Sequence, residues 1–397
     1  MHGTLASTAL LGLSAIAAAR PMSGSYTSGS SSGSDGEVAF KFPLSNGFPD
    51  IDNPSDALTT IEEQAHGTLP NASAPANGTA PPLPQPDSVN SLGFIAFNEL
   101  FVLRTEVAFF TELIYNITNN VMGFDQVPNR DEVLGILNVV VAQEELHELN
   151  ANGAFKKFTG KTITPCEYAF PVSNFTQAIG LASTFTDVVL GTLPDIQTIF
   201  ANDGDNGLIR GVGSVIGQEG EQNGFYREIL GKVPSALPFL TGSARDFAFN
   251  AINQNFVVPG SCDASLDLLL HPASGTPLKE FGVLDVLTDP AEITSDKDSE
   301  VDFSFQTQTS KVQGQSFAVK QGMYLTYINQ QNAPFSVPLM NEKFDKDQVT
   351  FTASFPGQSR EMNGLTIAAI TNSDGPFATP DDVADATLFG PGLIEVN

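Results

Sequence analysis

The sequence LNVVVAQEELHELNA, residues 137–151, decides how the chain folds. Apolar side chains recur from Leu137 onward at the spacing of a helix with one buried face. The same face continues through Glu144 and His147, which are three residues apart. Because an unpaired carboxylate is costly to bury, these two side chains need partners, either polar groups on facing helices or a metal ion.

A second stretch, residues 205–231, repeats this pattern with one change. Its apolar stripe leads into Glu219, Gln222 and Tyr226, whereas Glu221 falls on the outer face. The inward pair is therefore Glu-x-x-Gln instead of Glu-x-x-His. Helical bundles that hold two metal ions place a Glu-x-x-His pair on each of two helices and one further Glu on each of the other two. Compared with that pattern, this chain lacks one histidine.

Two further carboxylates, Glu99 and Glu106, lie on one face of a helix predicted over residues 88–118. Facing residues of an antiparallel helix pair are centred on the turn between the helices. If Glu106 is level with Glu144 and His147, the turn is centred at about residue 126, and if Glu99 is level with them, at about residue 122. Turn-forming residues at positions 123, 128 and 129 favour the first value. We therefore predict Glu106 at the level of the pair and Glu99 as a neighbour.

A helix predicted over residues 173–192 offers only Asp187, which lies off its apolar stripe. A full set of metal ligands is therefore missing, and glutamine is a weak, neutral ligand for iron. Two interpretations stay open: a buried hydrogen-bonded network without metal, or a mononuclear or altered dinuclear site for iron or manganese. No catalytic residue is assigned. The candidate ligands are Glu106, Glu144, His147 and Glu219, and the residues expected beside them are Glu99, Gln222 and Tyr226.

Composition restricts the possible partners. The chain of 397 residues carries 18 Lys and Arg against 45 Asp and Glu, a formal charge of −27. Such an acidic excess argues against nucleic-acid binding and against contact with anionic membranes. The length predicts two or three folded units.

The N-terminus indicates export. Residues 1–19 resemble a secretory signal peptide, with an apolar run that ends in three alanines. No later apolar stretch has spanning length, so no membrane anchor is predicted. We expect the protein to be secreted, either extracellular or bound to a cell wall. Four Asn-x-Ser/Thr sequons agree with this route and predict glycosylation at Asn71, Asn77, Asn116 and Asn174.

Export also bears on the two cysteines, Cys166 and Cys262. Thiols pair by default in an oxidising compartment, whereas the alternative is two buried free thiols. We therefore expect one disulfide bond between them.

Changes in periodicity divide the chain and predict an α+β fold. Residues 20–87 are rich in Ser and Gly and then in Pro, and we expect a largely disordered linker. Residues 88–262 show helical periodicity typical of a bundle of four or five helices, predicted at 88–118, 130–157, 173–192, 205–231 and 235–255. Residues 275–397 alternate apolar and polar side chains, which predicts an antiparallel β-sandwich.

Several motifs resemble the ferritin-like family that includes plant desiccation-related proteins and fungal secreted stress-response and late-sexual-development proteins. The helical motifs are Phe97-Asn98-Glu99-Leu100, Glu106-Val107-Ala108-Phe109-Phe110, Gln143-Glu144-Glu145-Leu146-His147 and Gln218-Glu219-Gly220-Glu221-Gln222-Asn223. Three further segments resemble the fungal branch of this family. They are residues 327–332, residues 362–369 and the terminal Gly390-Pro391-Gly392-Leu393-Ile394-Glu395-Val396. The resemblance implies a five-helix ferritin-like domain, export, and expression linked to stress or development.

Two functions follow as expectations. The first is a secreted, structural or protective protein with a degenerate metal site, whose β domain contacts a cell wall, a glycan or a second copy of the chain. The second is a metal-dependent oxidase or peroxide-handling protein that uses iron or manganese. The incomplete ligand set favours the first, and the sequence leaves open whether the protein is an enzyme.

Overall fold

The computed structural model describes residues 56–70, 83–105, 109–307 and 322–397. The predicted signal peptide and most of the predicted linker lie outside these residues. The described chain is mixed, with helices followed by two antiparallel sheets, as the α+β prediction stated. The helices are α1 Asp56–Gln64, α2 Pro86–Thr105, α3 Thr111–Thr118, α4 Arg130–Thr159, α5 Phe175–Asp203, α6 Asn206–Ile229, α7 Arg245–Asn255 and α8 Asp263–Leu270.

Helices α2 and α4 form one antiparallel pair. Gly93 near the start of α2 lies against the Phe155 ring near the end of α4, where an added Cβ would come within 2.7 Å of that ring. Further along α2, Glu99 lies 3.9 Å from His147. The missing side chain of Gly93 therefore leaves room for the Phe155 ring between the two helices.

Helices α5 and α6 form the second antiparallel pair. Ser183 donates a hydrogen bond to Asn223, and Gln197 on the far half of α5 donates one to the carbonyl of Ile209. Nearly every residue from Ala178 to Leu193 is buried, which makes α5 the central helix of the group. The second pair meets the first where Gln218 of α6 donates to Gln143 of α4.

Two helix boundaries differ from the predicted ones, and one helix lies where a linker was predicted. Helix α5 continues past residue 192 to Asp203, because Ile196 and Phe200 extend its buried stripe beyond Pro194. The last long helix begins at Arg245 instead of residue 235. Within the predicted linker, α1 packs its Leu58 and Ile61 against α4, so this part of the linker has apolar surface to bury.

Two four-stranded antiparallel sheets follow the helices. One has the order β1-β2-β6-β5 and the other the order β4-β3-β7-β8. The strands are β1 Leu284–Val286, β2 Ser299–Gln306, β3 Tyr324–Asn329, β4 Phe335–Pro338, β5 Met340–Asp345, β6 Gln348–Phe355, β7 Gly364–Thr371 and β8 Thr387–Val396, and a short helix α9 Pro380–Ala386 precedes β8.

The sheets face one another across a shared apolar core. The rings of Phe305 on β2 and Phe389 on β8 are 4.4 Å apart, and those of Tyr327 on β3 and Phe355 on β6 are 5.7 Å apart. Strand β6 alternates buried and half-buried residues through most of its length, as its two-residue period predicted. Side chains of the two inner faces therefore interdigitate.

The outer face of the second sheet is covered by the helices. All eight residues of β7 are buried. Leu365 and Ile367 belong to the core of the helices, whereas Ala368 and Ile370 belong to the core between the sheets. The described residues therefore form three layers. The helices pack on the β4-β3-β7-β8 sheet, and this sheet packs on the β1-β2-β6-β5 sheet.

A single disulfide bond, Cys166 to Cys262, is present in the described chain, as predicted. It joins the segment between α4 and α5 to the start of α8, across 96 residues of sequence. None of the helices in the described ranges is both long and apolar enough to cross a membrane.

Thr241 joins the helices to the sheets. Its hydroxyl donates to the carbonyl of Leu365 on β7 and accepts from the backbone of Gln330 after β3. The neighbouring Ser243 donates its backbone N–H to the carbonyl of Gly191 on α5. This close approach requires glycine on the helix, since a Cβ at position 191 would lie 2.2 Å from the Thr241 carbonyl oxygen.

We expect Gly191→Ala to lower the free energy of unfolding by about 1–3 kcal/mol, because the added methyl overpacks this junction. The measurement is equilibrium unfolding in urea. Gly211→Ala is the matched control, since Gly211 lies within α6 with no atom near its absent side chain. The control should be neutral or more stable by up to about 1 kcal/mol. Equal effects of the two substitutions would contradict the packing at position 191.

Candidate metal centre

Four side chains from three helices converge inside the bundle. They are Glu99 of α2, Glu144 and His147 of α4, and Glu219 of α6. Each offers one ligand atom, and these atoms all lie within 4.8 Å of one another. The four-residue motifs Glu144-x-x-His147 and Glu219-x-x-Gln222 therefore face each other, as their helical spacing indicated.

His147 lies at the centre of the group. Its Nδ1 atom is 3.0 Å from Glu144 Oε2, 3.8 Å from Glu219 Oε1 and 3.9 Å from Glu99 Oε2. The first contact is a hydrogen bond, and the other two are longer than a hydrogen bond. Three carboxylates thus surround a single ring nitrogen.

The carboxylates are fully enclosed, with 0–1% of each side chain exposed, whereas 17% of the His147 side chain is exposed. Glu99 Oε2 and both oxygens of Glu219 have no hydrogen-bond partner among the residues that the structure describes. Burial normally requires such oxygens to be satisfied. These atoms are therefore available to a ligand.

Burial and mutual repulsion change the acidity of the group. Burial, with the nearby Glu144 carboxylate, raises the pKa of Glu99 and of Glu219 well above the ordinary carboxyl value. For His147, burial lowers the pKa, but Glu144 and Glu219 oppose it and leave the pKa above the ordinary value. Each shift reduces the excess of negative charge.

A divalent or trivalent transition-metal ion fits these residues. Metal ions hold carboxylate oxygens and imidazole nitrogens at about 2.0–2.2 Å, so ligands on opposite sides of an ion are about 4.0–4.4 Å apart. The observed spread of the four atoms, within 4.8 Å, needs only small adjustments to reach this geometry. Three ionised carboxylates would also neutralise the ion without a counter-ion.

Gln222 fixes the orientation of Glu144. Its amide Nε2 donates to Glu144 Oε1 at 2.5 Å and lies 3.3 Å from the side-chain oxygen of Gln143. The position that a second histidine would take is therefore filled by a neutral donor. A donor of this kind holds a ligand in place but adds no charge for a second ion.

The structure brings together three of the four predicted ligands, Glu144, His147 and Glu219. The fourth, Glu106, lies outside the described residues. Glu99, predicted as a neighbour, supplies an oxygen to the group itself. Its level corresponds to a turn centred near residue 122 instead of residue 126, so the prediction that Glu99 is only a neighbour of the group is wrong.

Other predicted positions are nearby or elsewhere. Tyr226 is buried and packs on Phe110, with 5.6 Å between the rings. Of the predicted glycosylation sites, Asn116 is half-buried on α3. Asn174 is half-buried too and caps α5 by accepting the backbone N–H of Gln177. Asn71 and Asn77 lie outside the described residues.

Helix α5 supplies no ligand to the group. Its carboxylate Asp187 accepts a hydrogen bond from Asn223 and belongs to a second buried group of charges with Arg227 and Glu395. Sequence analysis missed this second group. The position of Asp187 off the apolar stripe was the available signal. The ion pair of this group, however, joins Arg227 to Glu395 on β8, and these two residues are 168 positions apart in the sequence.

We expect Glu219→Gln to raise the free energy of unfolding of metal-free protein by about 1–2 kcal/mol at neutral pH, because a neutral amide replaces a carboxyl group whose ionisation is opposed by burial. A raised carboxyl pKa means that wild-type stability falls as pH rises above about 4, so the gain should vanish near that pH. Chemical unfolding at several pH values, in a chelator, measures it.

The control is Glu342→Gln, which changes an exposed carboxylate on β5 and should leave stability unchanged. If Glu219→Gln were less stable than the wild type at neutral pH, the carboxylate would have to be stabilised by its surroundings without a metal ion.

No family model matches the chain, and no curated protein is significantly similar to it in sequence.

Proposed function

We propose that this protein is a secreted structural or protective protein that holds one transition-metal ion, iron or manganese, inside a ferritin-like helical bundle. One observation carries the proposal: Glu99, Glu144, His147 and Glu219 place their ligand atoms within 4.8 Å of one another. Three of the carboxylate oxygens in this group have no hydrogen-bond partner in the described chain. A metal ion would satisfy them all at once.

The helix arrangement supports the ferritin-like assignment. Two antiparallel helix pairs, α2 with α4 and α5 with α6, meet at the metal centre. The link between the pairs, residues 160–174, spans about 50 Å when extended. Helix α5 has 29 residues and is about 43 Å long, so this link is long enough to cross the bundle.

A single ion is favoured over two. In a two-ion bundle of this type, four carboxylates and two histidines hold the pair of ions. Here the group contains three carboxylates and one histidine, and Gln222 stands where the second histidine would lie. Three negative charges balance one trivalent ion and leave a single negative charge beside one divalent ion.

The ligand chemistry favours iron or manganese. Carboxylate oxygens suit manganese, and imidazole suits iron, so a site with three oxygens and one nitrogen accepts both. Export is supported by the Cys166–Cys262 disulfide, which is typical of proteins outside the reducing cytosol. Contact of the β domain with a cell wall, a glycan or a second copy stays a prediction.

The partial exposure of His147 favours a second candidate function, a metal-dependent oxidase or peroxide-handling protein. The enclosed carboxylates leave His147 as the one member of the group that reaches solvent. A small molecule such as oxygen or hydrogen peroxide would approach from this side. A bound iron or manganese ion would supply the redox chemistry, while Gln222 would keep Glu144 in place.

We expect untagged protein, purified from the medium of its own host, to contain about one equivalent of iron or manganese by plasma mass spectrometry. Glu99→Gln and Glu144→Ala should each reduce the metal content at least tenfold, because each removes a charged ligand. Glu99→Gln is the sharper of the two tests, because glutamine keeps the size of the side chain, whereas Glu144→Ala also removes the acceptor of the Gln222 hydrogen bond.

Glu145→Gln is the matched control, since Glu145 neighbours Glu144 on α4 but is not part of the group. It should retain the metal. Circular dichroism would establish that all variants are folded. Absence of metal from the wild type, both as isolated and after anaerobic reconstitution with iron and manganese, would reject the proposal.

If the second candidate is correct, the metal-loaded wild type should consume hydrogen peroxide at least tenfold faster than the same protein loaded with zinc, which is not redox active. An oxygen electrode and a peroxide dye give the rates. Equal rates for the two metals would leave a protein that holds the ion without catalysis.

A further inference from the structure

A cavity opens at one end of the two sheets, distinct from the metal centre. Its volume is about 350 Å³, within the range of about 300–1,000 Å³ that is typical of small-molecule sites. It lies between the turn that joins β3 to β4 and the loop that joins β6 to β7. The residues that line it are Asn329, Asn332, Ala333, Phe335, Arg360 and Met362. None of these residues belongs to the metal centre.

Hydrogen bonds hold the two walls of this cavity together. The side-chain amide of Gln330, in the turn, donates to the carbonyl of Glu361 in the loop at 2.8 Å. The side-chain amide of Asn329 donates to the carbonyl of Asn363, at the end of the same loop, at 2.9 Å. The cavity is therefore formed before a ligand arrives, which lowers the conformational entropy that binding would cost.

Of the described residues that line the cavity, Arg360 is the one that carries a charge. Its side chain is exposed, and its guanidinium carbon lies 3.8 Å from the centre of the Phe335 ring. The guanidinium forms no ion pair and no side-chain hydrogen bond with any residue in the described ranges. The attraction of the ring positions the guanidinium, while all of its N–H groups stay free to bind a ligand.

The charges around the cavity favour a ligand with one negative charge. The lining contains one cation and no acid. The nearby Asp298 carboxylate already accepts the backbone N–H groups of Gln358 and Ser359 in the β6–β7 loop. A guanidinium binds a planar carboxylate through two parallel hydrogen bonds and balances its charge. A phosphate ester carries about −1.5 to −2 charges, which a single guanidinium would leave under-compensated.

The remaining surface of the cavity suits a hydroxylated ring. Asn332 is exposed, and its side-chain amide forms no hydrogen bond within the described chain. An amide both donates and accepts hydrogen bonds, and so does a hydroxyl group. The exposed Ala333 and the half-buried Phe335 add apolar surface for the C–H groups of such a ring.

We propose that this cavity binds a uronate, a sugar ring whose terminal carbon is a carboxylate, within an acidic polysaccharide. The carboxylate would pair with Arg360, and ring hydroxyls would bond to the amide of Asn332. This inference goes beyond the proposed metal site and does not depend on it. It gives the predicted contact of the β domain with a glycan a position and a sugar class.

The test uses three probes: methyl glucuronide, methyl glucoside and cyclohexanecarboxylate. The glucoside replaces the carboxylate with a hydroxymethyl group, and cyclohexanecarboxylate keeps the ring and the carboxylate but has no hydroxyl group. Saturation-transfer NMR titrations of the full chain at pH 7 should give the glucuronide a Kd at least tenfold lower than the glucoside, which lacks the charge-assisted pair. The Kd should be at least threefold lower than that of cyclohexanecarboxylate. Equal affinity of the glucuronide and either other probe, or no binding of the glucuronide, would overturn the proposal.

Two variants locate the site. Arg360→Met keeps an unbranched side chain but removes the charge, so the glucuronide should bind at least tenfold more weakly while the glucoside binds unchanged. Asn332→Ala should weaken both glycosides about threefold, because it removes a partner of the hydroxyl groups that they share.

Arg210→Met is the matched control, since Arg210 is exposed on α6 and does not line the cavity. It should bind all three probes like the wild type. With the fold intact by circular dichroism, an unchanged glucuronide affinity in Arg360→Met, an unchanged glucoside affinity in Asn332→Ala, or an equal loss in the control would each contradict the proposed site.

Discussion

The burial of three carboxylates around one imidazole is the constraint on which the helical layer depends. Each of Glu99, Glu144 and Glu219 loses its hydration inside the bundle, and the attraction of His147 offsets only part of that loss. The group therefore fixes the register of α2, α4 and α6 relative to one another, because a shift of any of these helices would leave a buried charge unpaired. The metal ion that we propose would offset this cost by pairing with all three carboxylates.

The second sheet connects this layer to the rest of the protein. Strand β7 is buried on both faces, so its sheet packs against the helices on one side and against the β1-β2-β6-β5 sheet on the other. Thr241 and Gly191 fix the approach of α5 to the sheet that contains β7. The β domain is therefore not an appendage that could be removed without exposing Leu365 and Ile367 to water.

Much of this arrangement follows from sequence periodicity. The spacing of Glu144, His147 and Glu219 predicted that they share the interior, and the alternation in β6 predicted one buried face. The level of Glu99 was harder to predict, since it depends on where the turn before α4 is centred, and turn-forming residues alone favoured a centre four residues too late. Strand β7 shows no alternation of buried and exposed residues, because both of its faces are covered. Tertiary packing decides such features.

The two buried charge groups differ in what their charges demand. At the metal centre three acids surround one base, so the group lacks positive charge and calls for a cation. Asp187 and Glu395 instead face Arg227 and Lys232, two acids with two bases, so that group is balanced overall. Burial and the nearby Asp187 carboxylate raise the pKa of Glu395 to about 8, while Lys232 and Arg227 oppose this shift. Helix α6 serves both groups through adjacent residues, since Gln222 orients Glu144 and Asn223 donates to Asp187. One helix thus supports two buried groups of different charge balance, the first short of positive charge and the second balanced.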